Sequence, residues 1–217
     1  MGIYRRFSFL FIVALYSSLS IATADDLPCR DLSGLFGAQR QLSFNVSDYR
    51  DDKGRKWIRF SGVFEGAYRA KMDDVIATLW DFEEAPKTFP RVEAVRIRSD
   101  DGTTAVVEQR TGVHLLGFSY ISNLVFRNVI SRDGKTAAFK FESIEVDDTT
   151  LSSRGSWTLE DRSDASGCAT YVCYTVDSFV SPRFPAQAAL MRRFGAADVR
   201  ALIRQLGDAT EKRVNKR

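Results

Sequence analysis

The hydrophobic and polar positions of this chain follow two different periods, and the changes between them divide it into elements. From residue 57 to 70 the two kinds of residue alternate, so that Phe60, Phe64 and Tyr68 share one side. Alternation with period two over this length predicts a strand with one buried face. From residue 72 to 82 the apolar positions recur at helical spacing, and two aspartates fall in the first turn, where carboxylates favour the helix dipole.

Beyond residue 90 the pattern predicts a run of strands followed by one long helix. The strands are expected over 92–98, 104–113, 118–130, 137–146, 150–160 and 169–179, with a further short strand over 41–47 before the whole series. Asp-Gly pairs at 101–102 and 133–134 are hairpin signals, so the run is expected to be an antiparallel meander. The helix is expected over 186–214, on the order of 40 Å long at 1.5 Å per residue.

The predicted sheet carries more aromatic side chains on one face than a single helix can cover. An antiparallel sheet has to bury its apolar face, and a sheet that curls around the C-terminal helix leaves an apolar space of the kind in which small molecules bind. An ordinary packed core is the alternative, and the pattern does not separate the two. The candidate ligand-binding residues are Phe89, Val106, Arg110, Tyr120, Phe126, Phe139, Phe141, Trp157, Tyr174, Met191 and Phe194.

This order of elements resembles the START-like superfamily, which includes polyketide cyclases and the coenzyme Q-binding Coq10 proteins. The resemblance covers roughly residues 60–213 and is carried by VIATLWDF at 75–82, Phe89-Pro90, GSWTL at 155–159, the strand over 170–176, the exit at 182–185 and MRRF at 191–194. It implies an α+β helix-grip fold, in which a curved antiparallel sheet wraps around a long C-terminal helix and encloses a hydrophobic cavity. It also implies binding and transport of a lipid, sterol-like molecule, quinone or fatty acid; a cyclase or aromatase acting on a hydrophobic substrate is the alternative.

Candidate residues for chemistry are few, and binding is favoured over catalysis. The single histidine, His114, stands between two apolar stretches, and one histidine cannot build a histidine-rich metal site. Glu108 and Arg110 share one face of a strand. If that face points inward, the pair forms a polar spot that could orient a ligand headgroup; the alternative is that it points to solvent. We expect no cofactor and no metal.

The first 24 residues have the pattern of a signal peptide. Arg5 and Arg6 precede an apolar run over 7–19, and Ala22-Thr23-Ala24 provides a small-x-small cleavage site before Asp25. The protein is therefore expected to be exported, either periplasmic or secreted, with a signal peptide over 1–24, a leader segment over 25–55 and a ligand-binding domain over 56–217.

An exported chain can form disulfide bonds, and three cysteines follow the expected cleavage site. Cys168 and Cys173 are five residues apart, so they point to opposite faces if both lie in one strand. Cys29 is thus the favoured partner of one of them, and an exposed odd thiol is the alternative.

Charge argues against a nucleic-acid partner. The formal net charge is +3 for the whole chain and falls to +1 without Arg5 and Arg6, whereas nucleic-acid-binding domains are strongly basic. A hydrophobic small molecule or lipid is the expected partner. The basic residues in the last six positions are typical of a solvated helix end, and transient contact with a membrane surface is the alternative.

Overall fold

The computed structural model describes residues 32, 34–89, 91–115, 118–164, 167 and 169–216. The expected signal peptide, Cys29 and Cys168 lie outside these residues. One compact unit spans Leu32–Arg217.

Eight strands form a single curved antiparallel sheet that does not close into a barrel. Its order is β1-β2-β8-β7-β6-β5-β4-β3, so the six strands from β3 to β8 are a meander of neighbouring hairpins, as predicted. The strands are β1 (Arg40–Arg50), β2 (Lys56–Tyr68), β3 (Val92–Asp100), β4 (Thr104–Leu115), β5 (Phe118–Asp133), β6 (Thr136–Glu145), β7 (Thr150–Asp161) and β8 (Thr170–Val180).

β1 is a full member of this sheet rather than part of a separate leader. It pairs with β2 from Arg40↔Glu65 to Arg50↔Lys56. The folded unit therefore begins ahead of residue 56, where we placed the start of the ligand-binding domain. The short strand expected over 41–47 is the centre of a longer one, because its pairing continues to the turn.

Asp51 organises the turn between β1 and β2. Its carboxylate accepts hydrogen bonds from the backbone N–H groups of Lys53 and Arg55, from the Arg55 side chain and from the Trp57 indole. Desolvation opposes ionisation here, but the hydrogen bonds outweigh it and lower the pKa of Asp51 to about 2.

The helices are α1 (Met72–Leu79), α2 (Ala85–Thr88) and α3 (Gln187–Val214), with a 3₁₀ turn over Phe82–Glu84 between the first two. The predicted helix over 72–82 is thus α1 followed by that turn. No helix among the described residues is long and apolar enough to cross a membrane.

The C-terminal half of α3 packs tightly on the face of the sheet that we call the concave face. Ile203 and Leu206 are completely buried in the main core. The Tyr68 hydroxyl donates to the Ile203 carbonyl at 2.6 Å, and its ring lies where a Cβ on Gly207 would stand, 2.7 Å away. This close approach favours a glycine at position 207. These contacts confirm the expected helix-grip arrangement.

A second, smaller cluster lies on the opposite, convex face. Leu35, Ala67 and Tyr171 are its buried members, and Leu32, Phe36 and Cys173 pack against them. Beside them the buried Glu65 carboxylate accepts hydrogen bonds from the Tyr171 hydroxyl at 2.7 Å and from Arg40. The segment ahead of β1 therefore covers a polar and apolar patch of β2 and β8.

Candidate ligand-binding site

The concave face presents side chains in rows, because residues paired across neighbouring antiparallel strands point to the same side. We name four rows by their composition, starting from the end of the sheet nearest α1. These are the apolar row (Gly66, Val172, Leu159, Ala137), the aromatic row (Phe64, Tyr174, Trp157, Phe139), the glycine row (Phe44, Gly62, Val176, Gly155, Phe141, Asn128) and the serine row (Phe60, Ser178, Ser153, Ser143).

The rings of the aromatic and glycine rows are in contact with one another. Trp157 and Tyr174 have ring centroids 4.3 Å apart, and Tyr174 stacks on Phe141 at 6.2 Å. The Phe141 ring lies over Gly155, where a Cβ would stand 2.5 Å from it. Phe126 meets the other side of Phe141 edge-on at 6.0 Å. The glycine therefore provides the space into which a ring from the next strand folds.

The end beyond the apolar row is closed by the segment of α1 and the 3₁₀ turn. Trp80 and Phe82 contact the ring of Phe139, with centroids 5.8 and 6.4 Å away. Phe89 packs against the same core from α2. Since the apolar row is buried under Ile203 and these rings, this end of the molecule is a packed core.

The other end is covered less tightly, because the N-terminal half of α3 contacts the edge strand β1, where Gly195 lies against the Phe44 ring and Arg192 donates to the Val46 carbonyl. No residue from 188 to 202 is buried, although Val199 and Leu202 contact the core. On the sheet side, Phe60 and Phe141 also keep part of their surface accessible. The partly buried residues of this half of α3 and the partly buried Phe60 and Phe141 thus mark the least buried part of the concave face, and we call this region the cleft.

Hydroxyl groups that are already hydrogen-bonded surround the outer end of the cleft. Ser153 and Ser178 lie 2.8 Å apart, and Ser122 contacts the Thr149 and Thr150 hydroxyls at 2.5 and 2.9 Å. These hydroxyl groups hydrogen-bond to one another, so the polar rim reduces the stability of the folded state very little.

Two tyrosines belong to the site, and burial raises the pKa of both. Tyr120 donates to the Thr149 carbonyl at 2.5 Å, a bond that partly offsets the effect of desolvation on its pKa. The pKa of Tyr174 is raised by desolvation well above the usual range of a phenol. Both hydroxyls therefore stay protonated and can donate at physiological pH.

The structure brings most of the predicted binding residues to the concave face, but not all of them. Met191 lies on the half of α3 that borders the cleft, and Phe194 on the same half is 45% exposed with the Arg193 guanidinium over its ring. Tyr120, Phe126, Phe139, Phe141, Trp157 and Tyr174 all point to the concave side.

Val106 and Arg110 require a correction, because their face of β4 is the convex one. Ala105 and Val107, on the other face, are buried. Arg110 pairs in solvent with Glu93 at 2.8 Å. Glu108 likewise lies near Arg96 and Arg98 on β3, at 3.7 and 3.5 Å. The charged pair therefore does not form a polar spot in the cleft.

Sequence reasoning missed the serine row and the glycines. Ser143, Ser153 and Ser178 have the same strand parity as the aromatic residues that we selected, so the alternation that identified Phe141 and Tyr174 also contained them. A serine on a strand carries no signal of its own that separates a binding role from an exposed position. The closing residues Trp80 and Phe82 lacked a local signal, since their contact with Phe139 depends on tertiary packing.

Other candidate sites are weaker. A separate pocket of about 210 Å³ beside the start of α1 is bordered by charged side chains and does not suit an apolar ligand; it is lined by Lys71, Met72, Asp73, Asp161 and Ser163. Among the described residues, no group of three or more His, Cys, Asp or Glu side chains is placed to hold a metal ion.

The fold and the cleft together define a helix-grip protein of the START-like class, and comparison with known proteins agrees. Residues 69–206 match the model of the family described as polyketide cyclase / dehydrase and lipid transport. The chain therefore belongs to that family.

Solved structures show the same fold at low sequence identity. The STAR-related lipid transfer protein of Xanthomonas axonopodis is 17% identical with a TM-score of 0.56, over 76% of this chain and 98% of that one. The Zhui aromatase/cyclase of Streptomyces sp. R1128 is 19% identical with a TM-score of 0.53, over 72% and 96%. Human STARD10 is 9% identical with a TM-score of 0.57, over 80% and 75%. No curated protein matches the chain.

Proposed function

We propose that this protein binds a hydrophobic ligand in the cleft and carries it through an aqueous compartment outside the cytoplasm. One observation carries the proposal: residues 188–202 of α3 and the sheet residues Phe60 and Phe141 are only partly buried, whereas Ile203 and Leu206 in the C-terminal half of α3 are completely buried. A protein whose core served folding alone would bury these surfaces against each other, because apolar burial stabilises the folded state by about 25 cal/mol per Å².

The family and the fold support this function at the level of ligand class. The family description includes both polyketide cyclases and lipid transport, and one neighbour in structure is a lipid transfer protein. Export is supported by the sequence of the first 24 residues, and a carrier is needed where a lipid has to cross water.

The test is a titration of a homologous series of apolar ligands against the purified chain. Each methylene moved from water into the cleft contributes about 0.8 kcal/mol, which is close to a fourfold gain in affinity. Affinity should rise with chain length until the cleft is full and then level off. Affinity that does not depend on chain length would contradict binding in an apolar cleft.

A matched pair of variants on opposite faces of the sheet locates the binding. Phe141 lies on the concave face, whereas Phe179 lies on the convex face against Tyr49, with centroids 4.8 Å apart. Phe141→Ala should change ligand affinity at least tenfold, while Phe179→Ala should leave it within twofold. Equal effects of the two substitutions would show that the ligand does not occupy the cleft.

A further inference from the structure

Two hydrogen-bond donors in the aromatic row have no acceptor among the residues that the structure describes. Tyr174 is 8% exposed and Trp157 is 4% exposed. Neither the Tyr174 hydroxyl nor the Trp157 indole N–H makes a hydrogen bond within the described part of the chain, although the two rings are in contact. A donor of this kind is satisfied only while water reaches it, and it costs about 1–3 kcal/mol if a ligand excludes the water without accepting a hydrogen bond.

Both donor atoms keep at least a small accessible surface, although their side chains belong to the main core. Within the described residues, every side-chain nitrogen or oxygen that is cut off from solvent has a hydrogen-bond partner. Since these two groups have none, each must keep some accessible surface. Their side chains point to the concave side, so that surface belongs to the cleft.

The rows around these donors carry no formal charge at neutral pH, and neither do Val107, Gln109 and Thr111, which β4 adds on the same side. Charged groups lie at the margin of the site instead: the Arg193 guanidinium lies over the Phe194 ring, and Asp198 pairs with Arg91 at 2.5 Å. A carboxylate or phosphate taken into this space would lose its hydration without gaining a counter-charge.

We propose that Tyr174 and Trp157 donate hydrogen bonds to an acceptor oxygen of an uncharged ligand. The cleft then selects neutral hydrophobic molecules that carry a carbonyl, ether or hydroxyl oxygen, and it discriminates against anionic lipids and against pure hydrocarbon. This inference rests on the proposed function and narrows its ligand class. The donors allow the site to discriminate between ligands with and without an acceptor oxygen, because a ligand that lacks the oxygen leaves the donors without a partner and binds more weakly.

Three probes of equal chain length separate the effects of a neutral oxygen, a negative charge and the hydrocarbon chain on binding. They are 2-dodecanone, dodecanoate and dodecane, each measured by equilibrium dialysis at pH 8, where the acid is ionised. The ketone should bind the wild-type protein more tightly than either of the others. Tyr174→Phe keeps the ring and removes the hydroxyl, so it should weaken the ketone roughly threefold to tenfold, the worth of one neutral hydrogen bond. Binding of dodecane should not change.

Two further variants test the second donor and provide a control. Trp157→Phe should weaken the ketone more than the alkane, which reports the second donor independently. Tyr49→Phe removes a hydroxyl from an exposed tyrosine of β1 and should leave all three affinities unchanged. Thermal melting of ligand-free Tyr174→Phe should show no loss of stability, since its hydroxyl has no protein partner.

The outcomes distinguish this inference from the proposed function. If none of the probes binds the wild-type protein, both fail. If the alkane and the ketone bind equally well and lose affinity equally in Tyr174→Phe, the cleft binds hydrophobic ligands but the donors do not recognise an oxygen. Dodecanoate binding as tightly as the ketone would overturn the preference for neutral ligands.

Discussion

The two glycines of α3 allow the same substitution to be tested in two surroundings within one helix. Replacing glycine by alanine inside a helix stabilises it by about 1 kcal/mol, because alanine loses less backbone entropy on folding. A steric clash of the new methyl group reduces this gain, and the structure predicts that the clash costs more stability at one site than at the other. At both Gly195 and Gly207 an added Cβ would stand 2.7 Å from a ring carbon.

The neighbouring aromatic ring can move aside at Gly195 but not at Gly207. The obstacle at Gly195 is the far end of Phe44, a ring that is only partly buried and can turn toward solvent. The obstacle at Gly207 is Tyr68, which is buried and tied by its hydroxyl to the Ile203 carbonyl. Overpacking a site that cannot relax costs about 1–3 kcal/mol.

Gly207→Ala should therefore be about 1–3 kcal/mol less stable than Gly195→Ala, because the gain in helix propensity is common to both and only Tyr68 cannot move aside. For a domain of this size each kcal/mol shifts the melting temperature by about 2–4 °C, so thermal melting resolves the two. Urea unfolding gives the free energies directly. Equal stability of the two variants, or greater stability of Gly207→Ala, would refute the assignment of Tyr68 as an immovable neighbour.

A double-mutant cycle adds a control for the mechanism. Tyr68→Phe removes the hydrogen bond that holds the ring, and should itself cost about 0.5–1.5 kcal/mol. In this background the ring can shift, so the further cost of Gly207→Ala should fall. Coupling of this kind is expected for residues in contact. Strictly additive effects would show that the hydrogen bond of Tyr68 does not determine the cost of Gly207→Ala.

Four shorter predictions test other parts of the molecule. Because the folded-state pKa of Asp51 is depressed to about 2, its stabilisation should be present at neutral pH and be lost as the pH falls from about 4 toward 2; acid unfolding of Asp51→Asn should show a shallower decline. Because Cys173 packs beside the segment that begins at Leu32, Cys29 should be disulfide-bonded to it rather than to Cys168, and non-reducing peptide mapping that finds Cys29 elsewhere would contradict this. N-terminal sequencing of the exported protein should begin within a residue or two of Asp25, and cytoplasmic protein that keeps Met1 would contradict cleavage. Phe194→Asp should weaken ligand binding while shifting the melting temperature little, because nearly half of that residue is exposed to solvent.

The parts of this fold that depend on neighbouring residues could be predicted, and the parts that depend on distant ones could not. Alternation identified the strands and placed Phe139, Trp157 and Tyr174 on one side, because strand parity is a local property. The pairing of β2 with β8 joins segments more than a hundred residues apart, and no pattern in the sequence predicted it. Local patterns contain no information about such contacts.

Two local failures also have physical causes. On β4, Val106 lies on the same side as Glu108 and Arg110, so both faces of the strand contain apolar residues and the pattern did not decide which one is buried. On β5, three consecutive residues, Leu124, Val125 and Phe126, are buried. The pairing of β5 with β6 shifts register between Val125 and Phe126, as expected at a β-bulge, so strict alternation breaks at that point.

The contact between β2 and β8 also constrains the order in which the chain can fold. Tyr68 pairs with Thr170 and Ile58 with Val180, so this ladder cannot form until almost the whole polypeptide is available. The hairpins from β3 to β7 are local and can form earlier, whereas the β2–β8 junction closes a long loop, and such non-local pairing slows folding. Until it forms, β2 and β8 each present an unpaired edge that can join another chain. Aggregation during refolding should therefore depend on protein concentration most strongly before this junction closes, and a chain truncated ahead of β8 should remain prone to aggregation.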